Sequence, residues 1–260
     1  MIMSGRAIFK GRVEGQALVL NKDFGFLGGV DADTGDILIE KGGNIKGRVL
    51  AFPRGKGSTV GSFTMYDLKA KGNAPVAIIN QEAETIVTTG AVISSIPMVD
   101  RIDISLLRDG DFIVVDGDRG VIELPDIIQK GVATSIIMKN GRALMLQRSD
   151  EVSLFKNLWG GVSGTIEAGE TADQTAIREV AEETGLIISN PRLKSKPIMM
   201  RNKDVIWEVH PLLFEIDVGE PVLNWENKGY SWMTESEIRK LEMVPEMIRI
   251  FEGLGVWDKK

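Results

Sequence analysis

Short runs of aliphatic and β-branched residues, separated by turn residues, dominate the first half of the chain. The segments "GRVLAFPRG", "APVAIIN" and "DFIVVDGDRGVIEL" have this pattern, which is typical of strands. Between them, "TVGSFTMYDLKAKG" has helical spacing, with Phe63, Tyr66 and Ala70 near one face and Gly72 as the stop. The pattern predicts a β-rich α/β domain up to about Leu124.

The pattern breaks at "LPDIIQKG", residues 124–131, where a proline, polar residues and a glycine interrupt the apolar runs. We place a domain boundary there and predict one domain over residues 1–128 and a second over residues 129–260. Asn140 and Gly141 predict a two-residue hairpin turn between the strands "VATSIIMK" and "ALMLQR". Farther on, the strands "IWEVHPLLFEI" and "YSWM" precede the helices "TESEIRKL" and "VPEMIRIFEGLG". The second half therefore predicts an α/β domain built on a meandering sheet.

Another helix is predicted inside "GTIEAGETADQTAIREVAEETGLI", residues 164–187. Thr171 followed by Gln174 fits a capping box, and Gly185 suits the left-handed position after the last turn. The residues predicted to face the core recur at helical spacing, and they are Ile177, Val180, Ala181 and Thr184.

Three carboxylates, those of Glu179, Glu182 and Glu183, fall within one turn of this helix and are predicted to share its polar face, opposite the core. Like charges at this spacing destabilise an isolated helix. Mg²⁺ or Mn²⁺ would offset the repulsion, because these ions prefer carboxylate oxygens. Arg178 could orient Glu179, and Gly164 would let the backbone approach the metal. The alternative is a solvated acidic face with no ligand.

Composition narrows the classes of function. Of 260 residues, 43% are hydrophobic and 26% charged, which is ordinary for a chain with one large core or two modest ones. The formal net charge of -6 does not favour a nucleic-acid or membrane partner. The absence of cysteine excludes disulfides and any thiolate-bound metal cluster held by this chain alone. No uncharged apolar run approaches the roughly 20 residues of a membrane span, so we expect a cytoplasmic protein.

The acidic helix belongs to a longer pattern. Over residues 164–186 the order is Gly, five residues, Glu, seven residues, Arg-Glu, an aliphatic residue, one residue, Glu-Glu, one residue, Gly-Leu. This order resembles the complete Nudix box, and the similarity extends from about Gly131 to the C-terminus. The resemblance implies an α/β/α sandwich hydrolase that uses divalent cations to cleave a nucleoside diphosphate derivative or a related diphosphate.

The resemblance also implies roles for the matching residues. It implies that Glu179, Glu182 and Glu183 bind the metal, assisted by the backbone carbonyl of Gly164. Glu179 is the first candidate for the general base that deprotonates the attacking water. Glu226, in the later loop "NWENKGYSW", is the second candidate.

Residues that would contact the rest of the substrate are less clearly marked. A further acid that relatives often carry near the loop tryptophan is replaced by Gly229. Four aromatic residues could stack on a base or belong to the core: Phe155, Trp159, Trp207 and Trp225. His210 lies in an apolar strand and is expected to be structural. Arg148 and Arg201 could contact phosphates or simply be solvated.

A glycine-rich loop, "FPRGKGSTVGS" at residues 52–62, lies between a predicted strand and a predicted helix. Such loops direct backbone N–H groups and a helix N-terminus at an anion, although a plain tight turn has a similar composition. The residue order of an ATP-binding P-loop is absent. Arg54, Lys56, Gly57 and Ser62 are the candidates for substrate contacts in this loop.

The first half resembles a second family. The segments "GFLGGVDADTGDI", "IKGRVLAFPRGKGSTVGS", "APVAIIN" and "GAVISSIPMVD" are similar to the swivel domain of aconitase X, the small subunit of archaeal phosphomevalonate dehydratase. The resemblance implies a swivelling β/β/α fold over nearly all of residues 1–124, with Ser58 as the proton acceptor in a dehydration. Ser62 is the second candidate for this role. It also implies a heteromer with an aconitase X-type large subunit that holds a 4Fe-4S cluster. Lys56, Arg54 and the loop amides could lower the pKa of Ser58.

The two resemblances together predict one chain that joins a dehydratase small subunit to a metal-dependent diphosphate hydrolase. Their fusion suggests that both domains act in the same pathway, isoprenoid biosynthesis. The Nudix substrate would then be an isoprenoid diphosphate or a nucleotide linked to that pathway. Two alternatives stay open. The second half could be a nucleotide-sensing module that regulates the dehydratase, or the first half could only dock or orient the second.

Overall fold

The computed structural model describes residues 1–39 and 42–257. The chain forms two compact units, Met1–Ile128 and Gln129–Lys260, each with its own hydrophobic core. The last three residues of the predicted second domain lie outside the described residues. The segment expected to interrupt the pattern near this boundary instead contains the start of a long strand, Ile128–Lys139.

Within the described residues, the first unit contains an eight-stranded sheet and two α-helices. In chain order its strands are β1 (Ile2–Ser4), β2 (Arg6–Phe9), β3 (Arg12–Val19), β4 (Val49–Arg54), β5 (Ala77–Glu82), β6 (Met98–Asp100), β7 (Phe112–Asp116) and β8 (Val121–Glu123). The helices are α1 (Val60–Ala70) and α2 (Thr85–Ile93), and a turn of 3₁₀ helix covers Ile104–Leu106. Across the sheet the strand order is β1-β8-β7-β3-β4-β5-β6-β2.

The centre of this sheet is parallel, and its two helices are the crossover connections. Strands β3, β4, β5 and β6 pair in parallel, whereas the outer strands pair antiparallel. Helix α1 connects β4 to β5, and α2 connects β5 to β6. The glycine-rich loop therefore leaves the carboxyl end of β4, the edge at which open parallel sheets bind ligands. The predicted β-rich α/β domain is confirmed.

Helix α1 forms where it was predicted, and the face shared by Phe63, Tyr66 and Ala70 is its outer one. The side chains of Phe63 and Tyr66 are 69% and 56% exposed. Met65 and Leu68, on the other side of the helix, are fully buried in the core of the unit. The outer face of α1 is thus apolar as well as the inner one.

The second unit contains, within its described residues, a second eight-stranded sheet and three α-helices. Its strands are β9 (Ile128–Lys139), β10 (Arg142–Arg148), β11 (Trp159–Gly160), β12 (Val162–Thr165), β13 (Leu193–Lys194), β14 (Ile198–Asn202), β15 (Val205–Glu215) and β16 (Asn227–Met233). The helices are α3 (Ala172–Thr184), α4 (Glu235–Ile238) and α5 (Met247–Gly253). The path β11-β10-β9-β15-β13 is extended by β12 on β9, β14 on β15 and β16 on β10.

Alternate residues of this sheet pack against different helices. On β9, Ile137 belongs to the core cluster that contains Val180 of α3. Its neighbour Ile136 belongs to the cluster that contains Ile250 and Phe251 of α5. Because successive strand residues point to opposite faces, α3 and α5 cover the two faces of one sheet. The α/β/α sandwich implied by the sequence is confirmed.

The turn between β9 and β10 is the two-residue hairpin turn that was predicted. Asn140 and Gly141 have φ angles of 50° and 74°. Lys139 pairs with Arg142 across this turn. Positive φ at both central residues is the reason that Asn-Gly is favoured here.

Candidate functional sites

Helix α3 carries the predicted metal-binding acids, and its ends are those predicted from the sequence. Thr171 and Gln174 form a capping box, in which the N–H of Thr171 donates to the Gln174 side chain at 2.9 Å. Gly185 ends the helix with a φ of 65°, a left-handed conformation that favours glycine. The position of the acids along the chain is therefore set by local sequence.

The buried face of α3 differs from the predicted one. The residues that form its buried stripe are Ala176, Val180 and Thr184. Of the other predicted inward residues, Ile177 is half-buried and Ala181 is exposed. Glu183 lies next to this stripe and is only 2% exposed, so the prediction that it shares a polar face opposite the core with Glu179 and Glu182 is wrong. The helix is rotated about its axis relative to the prediction, because the sheet covers small residues rather than the larger Ile177.

Arg178 holds an acid outside the predicted metal set, Glu170. Its Nε and Nη2 atoms donate to the two carboxylate oxygens of Glu170 at 3.0 and 2.9 Å. The hydroxyl of Thr175 donates a third hydrogen bond at 2.9 Å. These bonds, those from Arg178 above all, lower the pKa of Glu170 to about 2. The negative charge of Glu170 is therefore already balanced within the protein.

The remaining terminal nitrogen of Arg178, Nη1, lies between two acids of the box. It donates to Glu179 at 2.7 Å and to Glu182 at 3.4 Å. Glu179 also lies against Gly164. Any other residue at position 164 would place its Cβ atom on the Glu179 carboxyl group. Burial raises the pKa of Glu179 in spite of the hydrogen bond from Arg178. The structure thus brings Arg178, Glu179 and Gly164 to one place.

Glu183 is held by two neutral donors. Its Oε2 accepts a hydrogen bond of 2.6 Å from Nδ2 of Asn227, and its Oε1 accepts one of 3.3 Å from the backbone N–H of Ser163. Burial raises its pKa to about 7, and the negative charges of Glu226 and Glu179 add to the effect. Sequence reasoning missed Asn227, although it directly follows the candidate base Glu226.

Glu226 reaches the other acids from the segment before β16. Its carbonyl oxygen accepts a hydrogen bond of 2.8 Å from the N–H of Ser149, and its N–H donates to Oδ1 of Asn224 at 3.0 Å. Its negative charge contributes to raising the pKa values of both Glu179 and Glu183. Glu226 therefore lies within electrostatic reach of acids that are more than forty residues away in sequence.

We call Glu179, Glu182, Glu183 and Glu226 the acidic cluster. In the described ranges, no three histidine, aspartate or glutamate side chains are arranged to hold a metal ion as they stand. The donor set nevertheless fits a hard divalent cation, since carboxylate oxygens are the ligands that such ions prefer. The position of Arg178 Nη1 shows that the space between Glu179 and Glu182 accommodates positive charge. Arg178 contacts one carboxylate oxygen of each acid, Oε1 of Glu179 and Oε2 of Glu182, so the second oxygen of each is the one that an ion would bind.

A cavity of about 170 Å³ opens beside Gly164, on the sheet face that α5 covers. Three residues singled out from the sequence, Arg148, Phe155 and Trp207, lie in its wall. Phe155 has a φ of 56°, which is rare for an aromatic residue and typical of positions held under strain at functional sites. The cavity therefore combines a cation and aromatic surface next to the acidic cluster.

The other residues considered for substrate contacts do not line this cavity. Trp159 packs against the core on the α5 side, and Trp225 is exposed beside Glu226. His210 lies in β15 with Nε2 3.6 Å from a carboxylate oxygen of Glu208. Arg201 lies in β14, where its Nε donates to a backbone carbonyl.

The glycine-rich loop of the first unit is held from two sides. The N–H of Phe24 donates to the carbonyl of Arg54 at 2.9 Å, and the N–H of Lys56 donates to the carbonyl of Phe24 at 3.0 Å. On the other side, Glu84 lies so close to Gly55 that a built Cβ atom there would overlap its carboxylate. Glu84 also caps the N-terminus of α2. Helix α2 was not predicted from the sequence; the signal that could have found Glu84 is an acid directly before the start of that helix.

The two candidate serines of this loop differ in how their hydroxyl groups are used. Ser62 is buried, and its hydroxyl donates to the carbonyl of Ile86 at 2.8 Å. Ser58 is exposed, and its Oγ accepts a hydrogen bond of 3.3 Å from the N–H of Val60. The hydroxyl of Ser62 therefore ties α1 to the start of α2, whereas that of Ser58 stays at the surface of the loop.

The remaining candidates of the loop surround Ser58 in sequence. Lys56 and Gly57 are exposed, and Gly57 has a φ of 104°, a conformation that requires glycine. Arg54 forms an ion pair with Glu82, which balances part of its charge. Among the described residues, Lys56 is therefore the loop cation without an ion pair next to the Ser58 hydroxyl, whereas Arg54 is paired with Glu82.

Two family models match the chain, one in each unit. The aconitase X swivel domain matches residues 2–124, and the Nudix domain matches residues 129–254. The phosphomevalonate dehydratase small subunit of Thermococcus sibiricus is 53% identical over 130 residues, which are 48% of this chain and 100% of that relative. The chain belongs to the aconitase X swivel family and carries a Nudix domain.

Other comparisons again match one domain at a time. For the swivel domain, the phosphomevalonate dehydratase small subunit of Methanosarcina acetivorans is 52% identical over 129 residues, or 47% of this chain and 90% of that relative. The crystal structure of Thermococcus kodakaraensis aconitase X (holo-form) is 49% identical, covers 48% of this chain and 98% of its own, and has a TM-score of 0.47. For the Nudix domain, the crystal structure of the MutT protein from Methanosarcina mazei Go1 is 22% identical. It covers 52% of this chain and 99% of its own, with a TM-score of 0.47.

Among the described residues, no helix has both the length and the apolar composition needed to cross a membrane.

Proposed function

We propose that the Nudix domain hydrolyses a diphosphate linkage with Mg²⁺ or Mn²⁺ bound at the acidic cluster. The observation that carries this proposal is the unequal charge balance of the acids. Arg178 balances Glu170 through two hydrogen bonds, while burial and mutual repulsion raise the pKa values of Glu179 and Glu183. A structure that needed only a stable helix would gain nothing from buried carboxylates that repel one another.

The proposed roles follow from where each residue lies. Glu179, Glu182 and Glu183 would hold the cation, with the carbonyl of Gly164 as a further oxygen ligand. When bound, a divalent cation neutralises phosphoryl charge and lowers the pKa of coordinated water. Arg178 orients Glu179 through the 2.7 Å hydrogen bond.

Glu179 remains the first candidate for the general base. Burial raises its pKa, which makes its carboxylate a stronger base than that of an ordinary glutamate. Glu226 is the second candidate, because its charge acts on the same cluster and its backbone is fixed on both sides. In either case the base takes the proton of the attacking water, and the water oxygen bonds to one phosphorus of the diphosphate. The bond from that phosphorus to the bridging oxygen breaks, and the bridging oxygen leaves with the other phosphate.

The cavity beside Gly164 supports a substrate in which the diphosphate is linked to a further organic group. Arg148 offers a cation to a phosphate, and Phe155 and Trp207 offer aromatic surface to the group beyond it. A nucleoside diphosphate derivative, or a related diphosphate, fits this combination.

The test is release of phosphorylated products from a panel of diphosphates by the full chain with Mg²⁺, detected by chromatography as phosphomonoesters or free phosphate and compared with a Glu182→Gln, Glu183→Gln variant. We expect the variant to lose at least about 100-fold in kcat, because it removes two charges that bind the cation. Unchanged release by the variant contradicts catalysis at the acidic cluster and leaves the nucleotide-sensing alternative. The panel includes isopentenyl diphosphate and its homologues. If they stay intact while nucleotide derivatives are cleaved, the hypothesis of an isoprenoid substrate is wrong.

We further propose that the swivel domain acts as the small subunit of a phosphomevalonate dehydratase-like lyase. Its relatives at 52–53% identity carry that name, and this chain has no cysteine to hold a 4Fe-4S cluster. A separate aconitase X-type large subunit would therefore supply the cluster. Ser58 is the proposed proton acceptor, with Lys56, Arg54 and the amide of Gly57 next to it on the loop. Its exposed hydroxyl at the carboxyl end of β4 supports this role.

Ser58→Ala should abolish dehydration by the reconstituted heteromer. Ser62→Ala is the matched control, because that hydroxyl is occupied by the carbonyl of Ile86, and it should retain activity. Full activity of Ser58→Ala would show that another group accepts the proton. Failure of the chain to co-purify with any cysteine-containing large subunit would leave only the docking alternative for this domain.

A further inference from the structure

Asn227 occupies a position that the proposed hydrolase mechanism does not use. It begins β16, it is only 6% exposed, and its side-chain amide donates the shorter of the two hydrogen bonds to Glu183, at 2.6 Å. A buried side-chain amide normally has a hydrogen-bond partner, and burying a carboxylate without a donor raises the free energy of the folded state. The contact is therefore a specific one between residues 44 positions apart in sequence.

The chain just before Asn227 is held at two points. The N–H of Asn224 donates to the carbonyl of Glu183 at 3.3 Å, and Ser149 binds the carbonyl of Glu226 at 2.8 Å. Strand β16 shifts register against β10 immediately after this point, because Arg148 pairs with Asn227 but Gln147 pairs with Gly229. An irregularity of this kind re-aims side chains at the start of a strand. Two successive residues, Glu226 and Asn227, both reach the acidic cluster from here.

The chemical type of the donor matters as much as its position. Arg178 holds Glu170 with a full positive charge, so that the carboxylate has little attraction left for another cation. Glu183 is held by an amide and a backbone N–H, both neutral, and in the described part of the chain no lysine or arginine pairs with it. A neutral donor fixes the orientation of a carboxylate and leaves its charge available.

We propose that Asn227 is a positioning residue that fixes the carboxylate of Glu183 for a divalent cation without neutralising it. This inference rests on the proposed metal-dependent hydrolase. It predicts that the affinity of the site for the cation depends on a side chain that does not itself contact the ion.

The experiment measures Mn²⁺ binding to the full chain by isothermal titration calorimetry, without substrate. Asn227→Leu keeps the approximate size of the side chain and removes the donor, so we expect Mn²⁺ affinity to fall by about 10- to 100-fold, as for other residues that orient metal ligands. Asn202→Leu is the matched control, since Asn202 lies in the β14–β15 hairpin and not in the acidic cluster, and it should bind as the wild type does.

A double-mutant cycle separates positioning from general damage. If Asn227 acts through Glu183, then adding Asn227→Leu to a Glu183→Gln chain causes no further loss of Mn²⁺ affinity. Excess Mn²⁺ should also restore hydrolysis by Asn227→Leu, which a collapsed site would not allow. Tryptophan-detected melting in EDTA verifies that each variant is folded, and Asn227→Ala replaces Asn227→Leu if the leucine does not fit.

Wild-type affinity in Asn227→Leu and Asn227→Ala would overturn this inference and leave the proposed hydrolase intact. An equal loss with and without Glu183 would also overturn it, because the effect would not pass through that carboxylate. If the wild type itself binds no Mn²⁺, the metal-dependent function falls and this inference falls with it.

Discussion

Single glutamates of the Nudix domain differ widely in their tendency to hold a proton. Glu170 has a pKa lowered to about 2 by hydrogen bonds from Arg178, whereas Glu183 has a pKa raised to about 7 by burial. The side chains are chemically identical, so the difference of environment alone decides which acid is permanently ionised. Only the second kind can exchange a proton for a metal ion at neutral pH.

The raised pKa of Glu183 gives a pH dependence of stability with a definite sign. Between pH 4.5, the ordinary value, and about 7, the folded state holds a proton that the unfolded state has lost. In EDTA, raising the pH across this window should therefore destabilise the Nudix domain, by roughly 3 kcal/mol. Urea unfolding at several pH values measures it. Glu183→Gln should flatten the dependence, and an unchanged slope in that variant would assign it to other groups.

Gly164 supports a prediction about packing at one atom. Gly164→Ala places a methyl group where the Glu179 carboxyl lies, so the carboxylate must move. A displacement of about 1 Å costs on the order of 100-fold in rate, so kcat for diphosphate hydrolysis should fall by about that factor. Gly229→Ala is the control, because a Cβ atom there meets nothing within 4 Å. Equal activity of the two variants would mean that Glu179 does not need this close approach.

At the scale of elements, the residues that set the ends of α3 also fix where its acidic residues lie along the helix. The Thr171–Gln174 capping box fixes where the first turn begins, and the acids follow at fixed helical intervals. Thr171→Ala should lower the free energy of unfolding of the Nudix domain by about 1 kcal/mol, measured in urea. Thr171→Ser keeps the oxygen that caps the helix and should lose much less. A similar loss in both variants would point to the methyl group of Thr171 rather than to the cap.

Local signals in the sequence predicted what is decided locally. The Asn140-Gly141 turn, the capping residues of α3, and the strand and helix on either side of the glycine-rich loop all follow from neighbours along the chain. The rotation of α3 could not be predicted from local signals. The helix buries the small Ala176 and the polar Glu183, whereas hydropathy alone would place these residues outside the core. The contact of Asn227 with Glu183 was not predictable either, since it depends on the register of β16.

At the scale of the whole molecule, the two domains have separate cores, and a metal ion bound to one should stabilise that one. All five tryptophans lie in the Nudix domain, at 159, 207, 225, 232 and 257, so tryptophan fluorescence reports on this domain alone. Mn²⁺ at about 100 times its Kd should stabilise the Nudix domain by roughly 2.7 kcal/mol. Hydrogen exchange of peptides from residues 1–128 should not change. Equal protection of both domains would show that their stabilities are coupled.

The outer face of α1 has a consequence for the behaviour of the chain in solution. Val60, Phe63 and Tyr66 leave an apolar stripe in contact with water, next to the loop that carries Ser58. Water-exposed stripes of this kind adhere to one another as protein concentration rises. The apparent molar mass of the purified chain from light scattering should therefore rise with concentration, and it should do so equally in EDTA and in Mn²⁺. Phe63→Lys should keep the solution clear, since it gives the stripe a charge.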